Sequence, residues 1–293
     1  MMLNEYLQNR FGCKVYKIAL NGGFTCPNRD GTVDFRGCIF CSKGGSGEFA
    51  AYSGLSIAEQ IEYGKKLISS KINNGKYIAY FQAYTGTYGD INRLRKLYTE
   101  AVTQPDIVAL SIATRPDCLG EDVLDLLSEI NGIKPVWVEL GFQTMHEKTA
   151  EYIRRGYKLQ VYTDAVNRLR DIGIEVITHV ILGLPGESID DILGTVQYVC
   201  NTGTNGIKLQ LLHILKDTDL ADEYAAGRIR VLTEDEYIEI LKQCVSIIPE
   251  DVVIHRLTGD GDKKILLAPM WSADKKHVWN RIQREVLGLF ANP

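Results

Sequence analysis

Short runs of β-branched and aromatic residues alternate with longer amphipathic segments over the first 215 residues. This alternation is typical of βα units around a parallel sheet, and it constrains the fold more than any other feature of the chain. The predicted strands are residues 14–20, 77–84, 107–114, 136–143, 175–182 and 206–213. The predicted helices, with apolar residues three or four apart, are residues 56–72, 91–102, 121–130, 159–172 and 189–200. We therefore expect an α/β fold with six strands.

Composition excludes several classes of protein. The 293 residues are 45% apolar and 24% charged, as in an ordinary globular protein rather than a disordered or fibrous one. No apolar run approaches the roughly 20 residues of a membrane span, and the N-terminus lacks the pattern of a secretion signal. We therefore expect a cytoplasmic protein without a membrane partner. The net charge of −4 gives no overall sign of a polyanionic partner.

The character of the sequence changes after residue 215. Thr233 and Glu236 mark the start of a further helix by their T-x-x-E spacing. No flexible spacer separates residues 216–293 from the rest, so we expect a C-terminal extension packed on a sheet domain of residues 1–215. Residues 251–293 hold seven basic and five acidic side chains, with interleaved tryptophans. This region fits an RNA contact and a solvated helix equally well.

Three of the seven cysteines, Cys26, Cys38 and Cys41, form a C-x11-C-x2-C pattern directly after the first predicted strand. The other four are scattered. Structural zinc usually takes four ligands, and no fourth Cys or His is near in sequence. A 4Fe–4S cluster held by three thiolates leaves one iron open for another ligand. The residues thus leave three interpretations: an open cluster, zinc with a distant fourth ligand, or unliganded thiols.

The cysteine pattern, with Phe40 before the last cysteine and five further βα units, resembles the radical S-adenosylmethionine (SAM) superfamily. The usual motif there is C-x3-C-x2-C. The longer gap, together with the CPNRDG, HRLTGDG and APMW motifs, is similar to a short bacterial YtqA/YhcC-like family. The resemblance implies a partial (β/α)6 TIM-like barrel in which Cys26, Cys38 and Cys41 bind one 4Fe–4S cluster. SAM would chelate the open iron and be cleaved to a 5'-deoxyadenosyl radical.

The resemblance also implies SAM contacts at Phe40, beside the last cysteine, and at the ends of the strands. Ala83, Tyr84 and Thr85 would offer backbone groups to the SAM amino group, although an ordinary strand-to-helix turn fits them too. Gln143 and Arg155 match positions that hold the SAM ribose and carboxylate in the anaerobic coproporphyrinogen dehydrogenase family. The alternatives are a turn-capping glutamine and a solvated Arg154–Arg155 pair on a helix. His179 matches a ribose contact, and its alternative is an ordinary interior histidine.

Residues 111–117 and 139–144 resemble segments of the elongator-type tRNA-uridine enzymes. This resemblance implies tRNA as the substrate and conversion of 5-carboxymethylaminomethyluridine to 5-aminomethyluridine at the wobble position. His213, His255 and Arg256 are candidate substrate contacts, and a protein such as flavodoxin or ferredoxin would supply electrons. Two alternatives stay open: a radical SAM enzyme acting on a small metabolite, and a non-catalytic binding protein stapled by zinc.

Overall fold

A computed structural model of the chain describes residues 1–45, 47, 50–71, 75–259 and 261–288. Seven parallel strands form one sheet in the order β1-β2-β3-β4-β5-β6-β8, and β7 pairs with β9 in a small antiparallel sheet. The strands are β1 (Val15–Leu20), β2 (Lys76–Phe81), β3 (Ile107–Thr114), β4 (Val136–Gln143), β5 (Glu175–Leu182), β6 (Gly206–Leu211), β7 (Ile214–Leu215), β8 (Val253–Arg256) and β9 (Leu266–Ala268). The predicted α/β class is confirmed.

Ten α-helices lie among the described residues and connect or cover these strands. They are α1 (Leu3–Phe11), α2 (Ile57–Ile68), α3 (Ile91–Thr103), α4 (Glu121–Asn131), α5 (Glu147–Tyr152), α6 (Leu159–Asp171), α7 (Ile189–Asn201), α8 (Asp219–Ala225), α9 (Glu234–Ile247) and α10 (Lys275–Glu285). Within the described ranges, no helix is both long and apolar enough to cross a membrane. The predicted end of α2 at Ile72 lies outside the described residues.

All six predicted strands are present, and β3, β4 and β5 have the predicted bounds. Strands β2 and β6 end earlier than expected, at Phe81 and Leu211, because the chain leaves the sheet there. The T-x-x-E pattern of Thr233 and Glu236 forms a capping box at the start of α9, as predicted. Local sequence signals therefore locate most elements correctly.

The seventh strand, β8, comes from the predicted C-terminal extension. It pairs in parallel with β6, with Gly206 opposite Val253 and Ile207 opposite Ile254. Four residues are too few to show a clear alternation of apolar and polar positions, so the sequence did not indicate this strand. The division of the chain at residue 215 stays a prediction.

The sheet curves into a partial barrel with a polar interior. Lys17 on β1 and Lys208 on β6 contact the same carboxylate, that of Glu139 on β4, although β1 and β6 are five positions apart in the sheet. Helix α1 covers the end of the barrel where the strands begin: Leu7 is buried there, and the Tyr6 ring lies 6.2 Å from the Trp137 ring. The opposite end, where the parallel strands finish, is the place where α/β barrels build their sites.

Candidate active site

A cavity of about 260 Å³ opens at the carboxyl ends of the strands and extends into the barrel. It is lined by most of the residues predicted as site residues: Cys26, Cys38, Phe40, Cys41, Tyr84, Thr85, Gln143, Arg155, His179, His213 and Arg256. Ala83 and His255 are not among the lining residues. The fold thus brings the three cysteines, the predicted SAM contacts and two of the three predicted substrate contacts to one place.

The cysteine loop, residues 26–41, is held by its own polar side chains. Arg29 donates hydrogen bonds to the backbone carbonyls of Cys41 at 2.9 Å and Ser42 at 2.6 Å. Asn28 is buried and donates from Nδ2 to the carbonyl of Arg154 at 2.8 Å, and the same nitrogen lies 3.5 Å from Sγ of Cys38. These bonds join both halves of the loop to each other and to the barrel, so they hold the cysteine loop at the cavity.

The electrostatics of the loop favour the protonated form of the Cys38 thiol. Burial and the neighbouring Cys41 raise the pKa of Cys38 to about 12, while the charge of Arg115 opposes this shift. Arg115 is itself fixed by Asp117, at 2.9 and 2.7 Å, and by the carbonyl of Arg155 at 2.8 Å. Iron ions bind thiolates and displace such protons. Three sulfur donors around one cavity, beside a fixed cation, therefore fit a 4Fe–4S cluster with one open iron.

In the described parts of the chain, no three His, Cys, Asp or Glu side chains form a group that could hold one metal ion. Cys118 is close enough to Cys26 for their charges to interact, but it lines a separate cavity.

Two residues beside the cysteine loop have left-handed backbone conformations. Tyr84 has φ = 59° and Gln143 has φ = 69°, and each follows or ends a strand at the cavity. Non-glycine residues in this conformation store strain and are concentrated at binding sites. The Tyr84 hydroxyl donates to the carbonyl of Lys43, so its ring packs over the loop. Ala83 is buried and is not among the residues that line the cavity, so its predicted backbone contact with SAM stays a prediction.

Arg155 is buried and lies beyond the end of α5, so the alternative of a solvated helical pair does not describe it. Its guanidinium donates to the carbonyls of Thr144 at 2.5 Å and Tyr157 at 3.1 Å, and its Nη2 lies 3.8 Å from the Glu147 carboxylate. These bonds fix the turn after β4, where Gln143 lies. Binding of the SAM carboxylate by Arg155 stays a prediction.

A buried charged cluster of Lys17, Glu139, His179 and Lys208 occupies the interior of the barrel. Glu139 has no exposed surface and accepts hydrogen bonds from all three other members, with 2.8 Å to Nε2 of His179. Ser111 donates to the same carboxylate at 2.7 Å. His179 therefore has an interior partner and also lines the cavity. Its predicted contact with ribose stays a prediction.

Burial and mutual charge shift the pKa values in this cluster. Burial acts to raise the pKa of Glu139, but Lys17 and Lys208 outweigh it and hold the pKa well below its ordinary range. Burial lowers the pKa of Lys208 to about 7, against the opposing effect of Glu139. Burial and the charge of Lys208 lower the pKa of His179 to about 4. At neutral pH, Glu139 is charged, His179 is neutral, and Lys208 is near its midpoint.

No prediction from the sequence identified Lys17, Glu139 or Lys208 as site residues. Each is a charged residue in the middle of a short strand whose neighbours are mostly buried and apolar, in VYKIAL, VWVELGFQ and GIKLQL. Charged residues are almost never fully buried unless paired. This signal could have identified the cluster, but the sequence does not show that the three side chains meet.

The predicted substrate contacts lie in different places. His213 lines the cavity and its Nε2 is 3.1 Å from Oγ of Ser272, while Arg256 lines the deeper part. The His255 ring instead packs against Trp137, with 6.0 Å between ring centroids, near the end of the barrel that α1 covers. The pairing of β8 with β6 is irregular here, with Ile254 opposite Ile207 and Arg256 opposite Lys208. Burial, together with the charge of nearby Lys17, lowers the pKa of His255.

A second cavity, the aromatic groove, adjoins the first and shares Leu211 and Gly259 with it. Its other lining residues come mainly from the end of the chain and include two tryptophans and two lysines: Trp271, Lys275, Lys276 and Trp279. Trp279 is 37% exposed, whereas the indole of Trp271 donates to the carbonyl of Leu232 at 3.0 Å. An indole face beside ammonium groups suits a nucleotide.

Comparison with known proteins defines the class. Residues 26–199 match the sequence model of the radical SAM superfamily, and residues 204–287 match that of the Radical_SAM C-terminal domain. The chain is 44% identical to the uncharacterized protein YtqA of Bacillus subtilis over 97% of its own length and 88% of that protein. It is 40% identical to the protein YhcC of Escherichia coli over 94% of its length and 88% of that protein.

More distant relatives share part of the chain. A tRNA uridine(34) acetyltransferase of Methanocaldococcus jannaschii is 28% identical over 52% of this chain and 28% of that protein. The solved structure of Elp3 from Methanocaldococcus infernus has a TM-score of 0.68 at 18% identity, covering 92% of this chain and 63% of that one. At 18% identity, this structural similarity shows that the two chains share a fold.

The chain belongs to the radical SAM superfamily. The predicted partial barrel and the relation to YtqA and YhcC are confirmed. Membership implies a 4Fe–4S cluster and SAM as cofactors, and it makes the chain an enzyme of the radical SAM type.

Proposed function

We propose that this enzyme modifies tRNA, converting the 5-carboxymethylaminomethyl group of a wobble uridine to 5-aminomethyl. The observation that carries the proposal is the aromatic groove beside the cavity: Trp271 and Trp279 with Lys275 and Lys276. A nucleotide next to the target base would stack on an indole and place its phosphate near the lysines. The names of the acetyltransferase relatives support a tRNA uridine as the target.

The cavity residues have separate tasks in this proposal. Cys26, Cys38 and Cys41 would hold the cluster, and Gln143, Arg155 and His179, with the backbone around Tyr84, would hold SAM. The bound cluster and SAM would supply a 5'-deoxyadenosyl radical, which would take a hydrogen atom from the glycine-like methylene of the substrate. The substrate radical would then return one electron to the oxidised cluster and lose a proton to form an imine, and water would hydrolyse the imine to the amine and a two-carbon oxo acid. The barrel walls would exclude solvent from these steps.

The proposed reaction requires a reductant and a cellular compartment that contains the substrate. A one-electron donor such as flavodoxin or ferredoxin would reduce the cluster, and the open mouth near the cysteine loop would receive it. A tRNA substrate would place the activity in the cytoplasm. His213 and Arg256 line the cavity and are the proposed substrate contacts, whereas the position of His255 gives no support for a direct one.

Digestion of tRNA after reaction tests this function. Reconstituted enzyme, dithionite and SAM are incubated with tRNA carrying 5-carboxymethylaminomethyluridine, and nucleosides and 5'-deoxyadenosine are quantified together. We expect 5-aminomethyluridine to appear in step with 5'-deoxyadenosine, and only with the modified tRNA. If 5'-deoxyadenosine forms while the nucleoside is unchanged, the tRNA substrate is rejected and a small metabolite becomes the better candidate.

A further inference from the structure

We propose that Lys208, at the deep end of the cavity, binds a carboxylate of the substrate. The inference rests on the proposed function, in which that group is the carboxylate of the 5-carboxymethylaminomethyl side chain. It assigns a specificity-determining contact to Lys208, a member of the buried charged cluster that is not among the proposed SAM contacts.

The buried charged cluster has more basic than acidic side chains. Lys17 and Lys208 share a single carboxylate, that of Glu139, so the cluster has one excess positive charge when both lysines are protonated. Buried cations normally have partners because desolvation of an unpaired charge is costly. A second carboxylate arriving from the cavity would complete the pairing. Burial would strengthen the contact, since little water competes for the ammonium group.

The two lysines differ in access to the cavity. Lys208 lines the cavity although its side chain is only 5% exposed, whereas Lys17, at 18% exposure, is not among the lining residues that the structure describes. A single lysine would suffice as a brace for Glu139, and Lys17 fills that role from β1. Lys208 is the member of the pair that an incoming group can reach.

Lys208 and the cysteine loop lie at different depths in the barrel. Lys208 stands three residues before the end of β6, so it lies roughly 10 Å inside the barrel at 3.3 Å per residue. The cysteine loop is at the mouth. The carboxylate of SAM would bind the open iron beside the cysteines. It would therefore lie at the mouth of the cavity, at the opposite end from Lys208. The Lys208 subsite is left for a group that enters beyond SAM.

Every strand around the cluster contributes a polar group. Lys17, Tyr80, Ser111, Glu139, His179 and Arg256 come from β1, β2, β3, β4, β5 and β8. The Tyr80 hydroxyl lies 3.4 Å from the Lys208 ammonium group. Among these neighbours Glu139 is the acidic residue, and Lys17 and Lys208 already share its negative charge. A bound carboxylate would raise the lowered pKa of Lys208 and keep it protonated.

The first test compares a carboxylate substrate with its amide. The variants Lys208→Met and Lys208→Arg, with Lys134→Met as a control at a half-buried lysine elsewhere, act on tRNA carrying the carboxymethylaminomethyl group or its carboxamide. We expect Lys208→Met to raise KM for the carboxylate about 10- to 100-fold, with little change for the amide. Lys208→Arg should stay within a few-fold of wild type. Equal losses on both substrates would overturn the proposal and leave a structural brace.

The second test does not depend on tRNA. Thermal unfolding of the iron-loaded enzyme with SAM is followed at constant ionic strength with N-methylglycine or N-methylglycinamide. Wild type should gain Tm with N-methylglycine alone, and Lys208→Met should lose this gain. Equal changes in Tm with both probes, or the same gain in Tm for Lys208→Met, would overturn the proposal of a carboxylate subsite at Lys208. Unchanged tRNA in the first test, with a carboxylate-specific gain here, would reject the tRNA substrate and retain the subsite.

Discussion

Gly156 lies directly against the side chain of Asn28: a Cβ atom on Gly156 would be 2.6 Å from Oδ1 of Asn28. Gly156 also has φ = 82°, a conformation that other residues rarely adopt. Asn28 contacts Cys38 and ties the cysteine loop to the barrel. The loop therefore depends on a residue more than a hundred positions away that has no side chain.

Gly156→Ala should displace Asn28 and lower the iron content of the reconstituted enzyme. The matched control is Gly173→Ala, which has φ = 73° but no atom within 4 Å of the added Cβ. The control should lose roughly 1–2 kcal/mol of unfolding free energy and keep its iron. Urea unfolding and iron analysis measure both effects. Equal iron content in the two variants would contradict the role of the Gly156 contact.

Glu139→Gln should destabilise the fold strongly, because it leaves the buried Lys208 and the partly buried Lys17 together without a counter-charge. Removal of one partner from a buried pair costs about 3–5 kcal/mol. The double variant Glu139→Gln/Lys208→Met should recover part of this loss. Glu129→Gln, which breaks an exposed pair with Arg95, should cost less than about 1 kcal/mol. Urea unfolding compares the four proteins, and similar losses for Glu129→Gln and Glu139→Gln would refute the prediction.

The lowered pKa of Lys208 predicts a pH-dependent stability. Its pKa is about 7 in the folded chain and roughly 10.4 when unfolded, so between these values the unfolded chain binds a proton that the folded chain has released. The free energy of unfolding should therefore rise with pH from 7 upward. Between pH 7 and 9, the free energy of unfolding of wild type should rise relative to that of Lys208→Met by up to about 1.4 kcal/mol per pH unit. A constant difference between the two proteins would argue against the shift.

Trp279→Ala should weaken tRNA binding without unfolding the protein, because the indole is partly exposed in the aromatic groove. Stacking of one base is worth about 1–3 kcal/mol, so we expect the Kd for tRNA to rise about 5- to 100-fold. SAM cleavage without tRNA should stay at the wild-type rate. Met270→Ala is the control, since Met270 is 62% exposed but does not line the groove. Filter binding measures the Kd, and equal values for both variants would count against the groove.

The sequence predicts the elements better than it predicts the interior of the site. Strand periodicity and capping patterns are local, so β3, β4, β5 and the start of α9 are located correctly. The cysteine loop is also visible, because its three thiols are close in sequence. By contrast, Lys17, Glu139 and Lys208 meet only because the sheet curves, and their separations of 122 and 69 residues hide the contact.

The sequence pattern likewise does not show that the Arg155 side chain is buried. The pair Arg154–Arg155 reads as solvated helix surface, but α5 ends at Tyr152 and the chain then turns through Arg154 at φ = 56°. This turn sends Arg155 inward to the backbone carbonyls after β4. Sequence alone does not show that such a turn interrupts a helical pattern.

The central claim is that Cys26, Cys38 and Cys41 together hold one catalytic iron–sulfur cluster. The most direct measurement is the iron and sulfide content of anaerobically reconstituted protein, with 5'-deoxyadenosine formed from SAM, for wild type and the Cys→Ala variants at positions 26, 38, 41 and 118. We predict about four irons and 5'-deoxyadenosine formation for wild type and Cys118→Ala, and loss of both in the other three variants. Wild-type protein without iron or 5'-deoxyadenosine, or a Cys118→Ala variant that loses the cluster, would contradict the account.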